Sequence, residues 1–342
     1  MGGVVDGPSR CLDIHSVDEG VCEFSHAMNV PKGTFMVMGS GLIDVHHHVV
    51  PQVYRSAITA ATDGTVGGVP QPAWSEDAML ERIDALGVER AVVSISAPAL
   101  EPVPADARAQ VARDCNDAVA DLCTRNVGTV GGFAVLPMPD VAASVAEAAR
   151  ALDELHLDGV ALLTNYGGRY LGDTEFAPLL EELDRRAAVV HVHPNLPPPM
   201  PDARLILPPP VLEFTFDTTR MVAEMILTET LQRYSRMTLV LAHLGGTLPW
   251  VAWRLSMLDD LPSASGGRRE PVRDTLRRLY YDVALSADPA TLRLAADVIG
   301  SDRLLYGSDF PFAPDIFIDR NTANVDAALA AATRDNGVRL LG

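Results

Sequence analysis

The stretch "DVHHHVV", residues 44–50, sets three histidines in a row inside an apolar run. Imidazoles gathered this way serve as metal ligands, as acid–base groups or as hydrogen-bonded core residues. A purification tag would be longer and terminal, and Leu42, Ile43, Val45, Val49 and Val50 around this stretch read as a buried strand. Side chains alternate along a strand, so His46 and His48 project to one face and His47 to the other. The stretch is expected to offer a two-histidine pair.

Further ionisable residues end other apolar runs. His191 and His193 close "AVVHVHP" (188–194), His243 lies in "MTLVLAHLGG" (237–246) and Asp309 in "LLYGSDFP" (304–311). His191 and His193 share a face; His193 is nearer the strand end and precedes Pro194, which makes it the candidate ligand, while His191 is expected a layer deeper as a satisfied core residue. His15, His26 and His156 fall in an N-terminal extension or on a helix and are expected to be exposed. Imidazole nitrogens with one carboxylate suit zinc and its neighbours, with a position left open for water or substrate. The cysteines form no closed structural zinc set, so the metal reading concerns catalysis.

The elements that must position these groups alternate regularly. Besides the runs above, "LIDVHHHVV", "RAVVSIS" (90–96), "TVGGFAVLP" (129–137), "GVALLTN" (159–165) and "LYYDVALS" (279–286) read as strands, eight in all. Helical segments lie between them, among them Glu76–Leu86 after a Ser75 cap, Asp140–Leu155, Glu175–Arg186 and Pro289–Ile299. Strand–helix alternation repeated eight times predicts an α/β fold of the (β/α)8 TIM-barrel type, whose active sites gather at the C-terminal ends of the strands. A doubly wound open sheet is the alternative, but "HHHVVP" is unlike the glycine-rich phosphate fingerprint it would want after its first strand. Residues 1–40 read as a loose extension, with Met36 or Met38 as an alternative start, and 41–342 as a single domain. Residues 193–214 form a Pro-rich loop at a functional position, and "DDLPSASGGRREP" (259–271) reads as a flexible connection.

Composition narrows the partners. The 342 residues are 48% hydrophobic and carry a formal net charge of -18, the wrong sign for nucleic acid or an anionic membrane. No apolar run approaches the roughly 20 residues that span a bilayer, and the N-terminus lacks the pattern of a signal peptide, so a cytoplasmic protein is expected. Cys11, Cys22, Cys115 and Cys123 form no C-x-x-C pair and are read as reduced and structural. Basic charge is almost wholly arginine, Lys32 being the single lysine.

In order and spacing, "D-x-H-x-H" on the first strand, "H-P" ending the fifth, "A-H-x-G-G-x-x-P" on the sixth and "G-S-D-x-P" on the eighth resemble the amidohydrolase superfamily. More narrowly they resemble its metal-dependent decarboxylases, the branch that includes aminocarboxymuconate-semialdehyde decarboxylase. "TNYGGRYLGD" (164–173), "EFTFDTTR" (213–220) and "YYDVAL" (280–285) are most similar to 6-methylsalicylate decarboxylases. The resemblance implies that His46, His48, His193 and Asp309 hold a metal ion and its water, with His243 beside them as an acid/base. Leu244, where a glycine commonly follows that histidine, is a departure expected to narrow the pocket. Binuclear relatives bridge two metals with a carbamylated barrel lysine; Lys32 lies upstream of the first strand, so one divalent ion is expected, Zn2+ first and Mn2+ second.

The implied reaction is non-oxidative decarboxylation of an aromatic ortho-hydroxy acid such as 6-methylsalicylate, with Asp309 as proton donor and His243 assisting. Whether burial or the metal governs the acidity of Asp309 is open at this point. Arg254, eleven residues after His243, matches an arginine that in related decarboxylases reaches the neighbouring subunit's site, so a homodimer is expected; an exposed helix arginine is the other reading. Trp74, Asn165 and Tyr166 are candidate pocket walls for a small aromatic carboxylate. Hydrolysis of a lactone or amide by the same ligands is the rival chemistry, and a metal-binding scaffold without turnover is the reading from another class.

Overall fold

The computed structural model describes residues 41–62, 64–66, 69–197, 207–263, 265–325 and 327–342. The N-terminal extension, with Cys11, Cys22, His15, His26 and Lys32, lies outside the described residues, as does the middle of the Pro-rich loop.

Eight parallel strands follow one another around one sheet in chain order: β1 (Leu42–His48), β2 (Val88–Ser94), β3 (Val130–Val135), β4 (Gly159–Leu163), β5 (Val189–His193), β6 (Thr238–Leu241), β7 (Tyr280–Asp282) and β8 (Leu304–Leu305). The ring closes between β8 and β1 through bridges Asp44–Tyr306 and His47–Phe310. There the Val45 N–H donates to the Tyr306 carbonyl at 3.0 Å and the Asp309 N–H to the His46 carbonyl at 2.8 Å. The expected (β/α)8 TIM barrel is the fold.

Helices α1 (Gln52–Ala61) and α2 (Glu76–Ala85) follow β1, and α3 (Ala105–Arg125), α4 (Val141–Asp153) and α5 (Ala177–Arg185) follow β2, β3 and β4. After β5 come α6 (Glu213–Leu227) and α7 (Thr230–Arg233); α8 (Leu248–Leu255) and α9 (Val272–Arg278) lie between β6 and β7; α10 (Pro289–Val298), then α11 (Asp315–Asn324) and α12 (Ala327–Leu341), complete the ring. Ser75, Asp140 and Asp288 cap α2, α4 and α10 by accepting from N–H groups of the first turn. The helix expected from Glu175 opens instead as a separate 3-10 turn, Thr174–Phe176, because Pro178 suits the first turn of a new helix.

The barrel floor is apolar. Ile43, Val45, Val240, Tyr280 and Leu305 pack there with Leu340 and Leu341, beside a second cluster of Val92, Phe133 and Ala161. Strict alternation from Val45 would turn His47 to the axis. The β1–β2 register instead slips between Asp44 and His47, a bulge of the kind that re-aims side chains near active sites. His46 and His48 therefore face the axis, while His47 stacks on Phe310 and its Nδ1 lies 3.0 Å from Asp44 Oδ2.

The connection 259–271 is irregular and largely exposed over its described residues, with an anchored point. The Arg269 side chain is buried, pairs with Glu229 at 3.7 Å and donates to the Leu258 carbonyl at 2.7 Å, which holds the end of the connection. Among the described residues no helix is long and apolar enough to cross a membrane.

Gly246 has φ +66°, and a Cβ there would run into the Thr215 carbonyl oxygen at the start of α6. Only glycine permits this contact between the turn carrying His243 and the helix beside the site. Gly246→Ala is expected to cost on the order of 2–4 kcal/mol, measured as a drop in the thermal midpoint; an unchanged midpoint would show that α6 can withdraw freely.

Candidate metal centre and active site

His46, His48, His193 and Asp309 are buried, and one ligand atom from each lies within 4.8 Å of the others at the C-terminal mouth of the barrel. His46 Nε2 is 3.0 Å from His48 Nε2 and 3.4 Å from Asp309 Oδ1; His48 Nε2 is 3.3 Å from the same oxygen. Each imidazole is held from behind. Asp282 Oδ2 accepts from His46 Nδ1–H at 2.9 Å, the Pro194 carbonyl accepts from His193 Nδ1–H at 2.7 Å, and His48 Nδ1 lies 3.1 Å from the Ser94 hydroxyl. Such partners fix the tautomer and leave Nε2 free for a ligand bond. Three imidazole nitrogens and one carboxylate oxygen converging within 4.8 Å of one another are the donor set that a divalent ion of the zinc type takes.

Burial disfavours a charge on His46, but Asp282 and Asp309 outweigh it and raise its pKa to about 10. Burial lowers His48 to about 4 and takes His193 well below the imidazole range, helped by the neighbouring histidines. For Asp309 burial opposes ionisation, yet His46 and His48 hold the carboxyl well below the usual range. Hydrogen bonds from the flanking imidazoles thus govern its acidity: it rests ionised, not poised as a protonated acid.

His243 Nδ1–H donates to the Ala284 carbonyl at 3.0 Å, and its ring centroid lies 4.8 Å from that of His46 and 5.6 Å from that of His193. The backbone around it is strained: His243, Leu244, Leu285 and Asp309 all hold φ between 52° and 63°, a cost that clusters at functional sites. Gly307 is required here because a Cβ would come within 2.7 Å of His46 Cβ. The centre opens onto a cavity of about 460 Å³ reached by His193, His243 and Asp309, with Phe214, Leu285 and Phe312 among its apolar walls.

The structure brings together His46, His48, His193, His243 and Asp309. His191 is buried as expected, stacked on Phe133 with Nε2 3.1 Å from Asp282 Oδ2, but it is only half satisfied, its Nδ1 having no hydrogen-bond partner; His156 is exposed. Trp74, Asn165 and Tyr166 do not line the cavity. Trp74 packs against the core. Asn165 is buried and spends its amide on the Leu196 carbonyl and Asp217, and Tyr166 is buried with its hydroxyl accepting from the Leu163 N–H. Arg254 is exposed on α8 and is not among the residues of this chain's cavity. Leu244 is buried beneath the His243 turn and does not narrow the pocket. The residues overlooked are Asp282, Ser94 and Gln71, whose amide is buried at the cavity without a hydrogen-bond partner. An aspartate closing the otherwise apolar "LYYDVALS" was the available signal for Asp282.

An amidohydrolase family model matches residues 43–341. The 6-methylsalicylic acid decarboxylase of Aspergillus aculeatus is 38% identical over 84% of this chain and 90% of its own; that of Penicillium expansum is 35% identical over 83% and 89%. A solved amidohydrolase II superposes with TM-score 0.80 at 28% identity, covering 88% of this chain and 99% of that one.

Without the ion, His46 carries a proton at neutral pH, while His48 and His193 are neutral and Asp309 is ionised. An entering cation must displace that proton, so affinity is expected to fall about tenfold per unit decrease in pH around neutrality. Titration calorimetry in buffers of different ionisation enthalpy is expected to find about one proton released per ion; release of none would remove His46 from the ligand set.

Proposed function

The chain belongs to the amidohydrolase family, and we propose that it decarboxylates an aromatic ortho-hydroxy acid of the 6-methylsalicylate type, releasing CO2. The observation that carries this reading is a buried three-histidine, one-aspartate centre opening onto an apolar-walled cavity, in a chain similar throughout to two 6-methylsalicylic acid decarboxylases. The centre would hold one ion, since no lysine occurs among the described residues to bridge a second. Three imidazoles and one carboxylate favour Zn2+, with Mn2+ next.

The ion supplies Lewis acidity toward the phenolate and carboxylate oxygens of the substrate. Asp309, ionised before substrate arrives, accepts the phenolic proton and passes it to the ring carbon bearing the carboxylate. A carboxyl acidified by its neighbours is a strong donor to carbon. The C–C electron pair then returns to the ring as CO2 leaves, and the product departs as a phenolate that takes its proton from water. His243, fixed through Nδ1 by the Ala284 carbonyl, presents Nε2 to the substrate oxygens.

No lysine or arginine lines the cavity among the described residues, although the substrate is an anion. Arg254 from a second copy supplies that charge in this reading. It sits beside Trp250 and Trp253, which are 80% and 70% exposed, an apolar surface suited to a dimer contact. The free thiols of buried Cys115 and half-buried Cys123, raised by burial to about 12 and about 11, fit a reducing, cytoplasmic setting.

Purified protein with one equivalent of zinc or manganese is expected to release CO2 from 6-methylsalicylate, and acid formation from a lactone or amide without CO2 would instead establish the hydrolase. Arg254→Ala is expected to lower kcat/KM at least about tenfold with normal metal content, since a charge-assisted hydrogen bond contributes roughly 1.5 to 3 kcal/mol. Mixing Arg254→Ala with His243→Ala under subunit exchange is expected to restore some activity, because one site per mixed dimer regains both residues. No recovery, with exchange verified, would reject the shared site.

A further inference from the structure

Two stretches play no part in the chemistry above, residues 164–173 at the end of β4 and 213–220 on α6. The structure joins them at the buried carboxylate of Asp217. It accepts from the Thr164 hydroxyl, from the Asn165 side-chain amide at 2.9 Å and from the Tyr170 hydroxyl at 2.9 Å.

From this carboxylate a continuous chain of bonds runs to the metal centre. His193 is the last residue of β5, and its carbonyl accepts from the Thr164 N–H at 3.0 Å. The sheet ladder cannot hold the next residue, since Pro194 has no N–H. What orients the His193 ring is the Pro194 carbonyl, 2.7 Å from Nδ1. That carbonyl shares one rigid peptide plane with the Asn195 N–H, which donates to Thr164 Oγ1 at 3.0 Å. A hydroxyl is a rotor: its oxygen accepts from Asn195 dependably only if its own proton is held elsewhere, and Asp217 holds it. Phe214, one turn before Asp217 on α6, meets the His193 ring edge-on at 5.8 Å. The order is carboxylate, hydroxyl, peptide plane, imidazole.

We propose that Asp217 and Thr164 are positioning residues that fix the His193 imidazole for the metal ion through the Pro194–Asn195 peptide plane. The inference rests on His193 being a ligand of that ion, within the function proposed above. It lengthens the usual outer-partner arrangement, in which a carboxylate or carbonyl touches the ligand histidine directly, by a hydroxyl and a peptide unit.

Thr164→Val keeps the side-chain shape and removes the hydroxyl, Thr164→Ser restores the hydroxyl, and Tyr170→Phe removes a bond to Asp217 while leaving the chain to His193 intact. Zinc dissociation constants, measured by competition with a chromophoric chelator, are read beside the thermal midpoints of the zinc-free proteins. Thr164→Val is expected to bind zinc about tenfold more weakly or worse, with its midpoint within about 4 °C of the parent; Thr164→Ser and Tyr170→Phe are expected to bind as the parent does. Parental affinity in Thr164→Val, or equal weakening in Tyr170→Phe, would overturn the inference. His193→Ala separates the levels: if it loses zinc while Thr164→Val does not, the ligand assignment stands and the positioning role falls. If His193→Ala binds zinc normally, both fall.

Discussion

One carboxylate organises the mouth of the barrel. Asp282, fully buried at the end of β7, lies 2.9 Å from His46 Nδ1 on β1 and 3.1 Å from His191 Nε2 on β5 through one oxygen. Its other oxygen accepts from the N–H groups of His243 after β6 and of Ala284, each at 3.1 Å. A charge taken this far from water would be costly alone, and four donors make it tolerable. Burial opposes its ionisation, but the histidines hold its pKa far below the ordinary carboxylate range. Because those donors arrive from separate strands, fixing the charge also fixes how the strand ends stand to one another.

The centre is accordingly layered. The ion-facing nitrogens converge, a ring of acceptors holds their far sides, and apolar residues close the floor beneath. Part of the chain's backbone strain falls at the same level: the left-handed conformations of His243, Leu285 and Asp309 lie where short strands give way to site-bearing turns. Strands β7 and β8 are brief for this reason, since residues that continued the ladder could not fold over the axis.

Much of this was legible in the residues. The eight apolar runs gave the barrel, because a repeated period is a property of sequence alone, and histidines at run ends marked the mouth. Alternation on β1 selected the correct pair, although the path to it includes a register slip that no periodicity reveals. Asp282 was harder to see because its partners lie on other strands, 236 and 91 residues away in sequence. Asn165 and Tyr166 were misjudged for a related reason. Position at a strand end says that a residue is near the mouth, but only packing decides whether its polar atoms face the cavity or, as here, Asp217 and the Leu163 N–H.

The sealed floor bears on traffic as well as on stability. With Leu340 and Leu341 packed against Ile43, Val45 and Leu305, the described residues put an apolar plug at the floor, while Phe312 and Phe214 line the cavity at the other end. A gas released at the depth of the metal centre would lie behind the aromatic product that blocks its path. In the proposed reaction the phenol would have to shift or depart before CO2 left by that mouth, and until then the two products would share the arrangement from which the carbon–carbon bond could form again. Which product slips out first would then decide how often the bond re-forms before release.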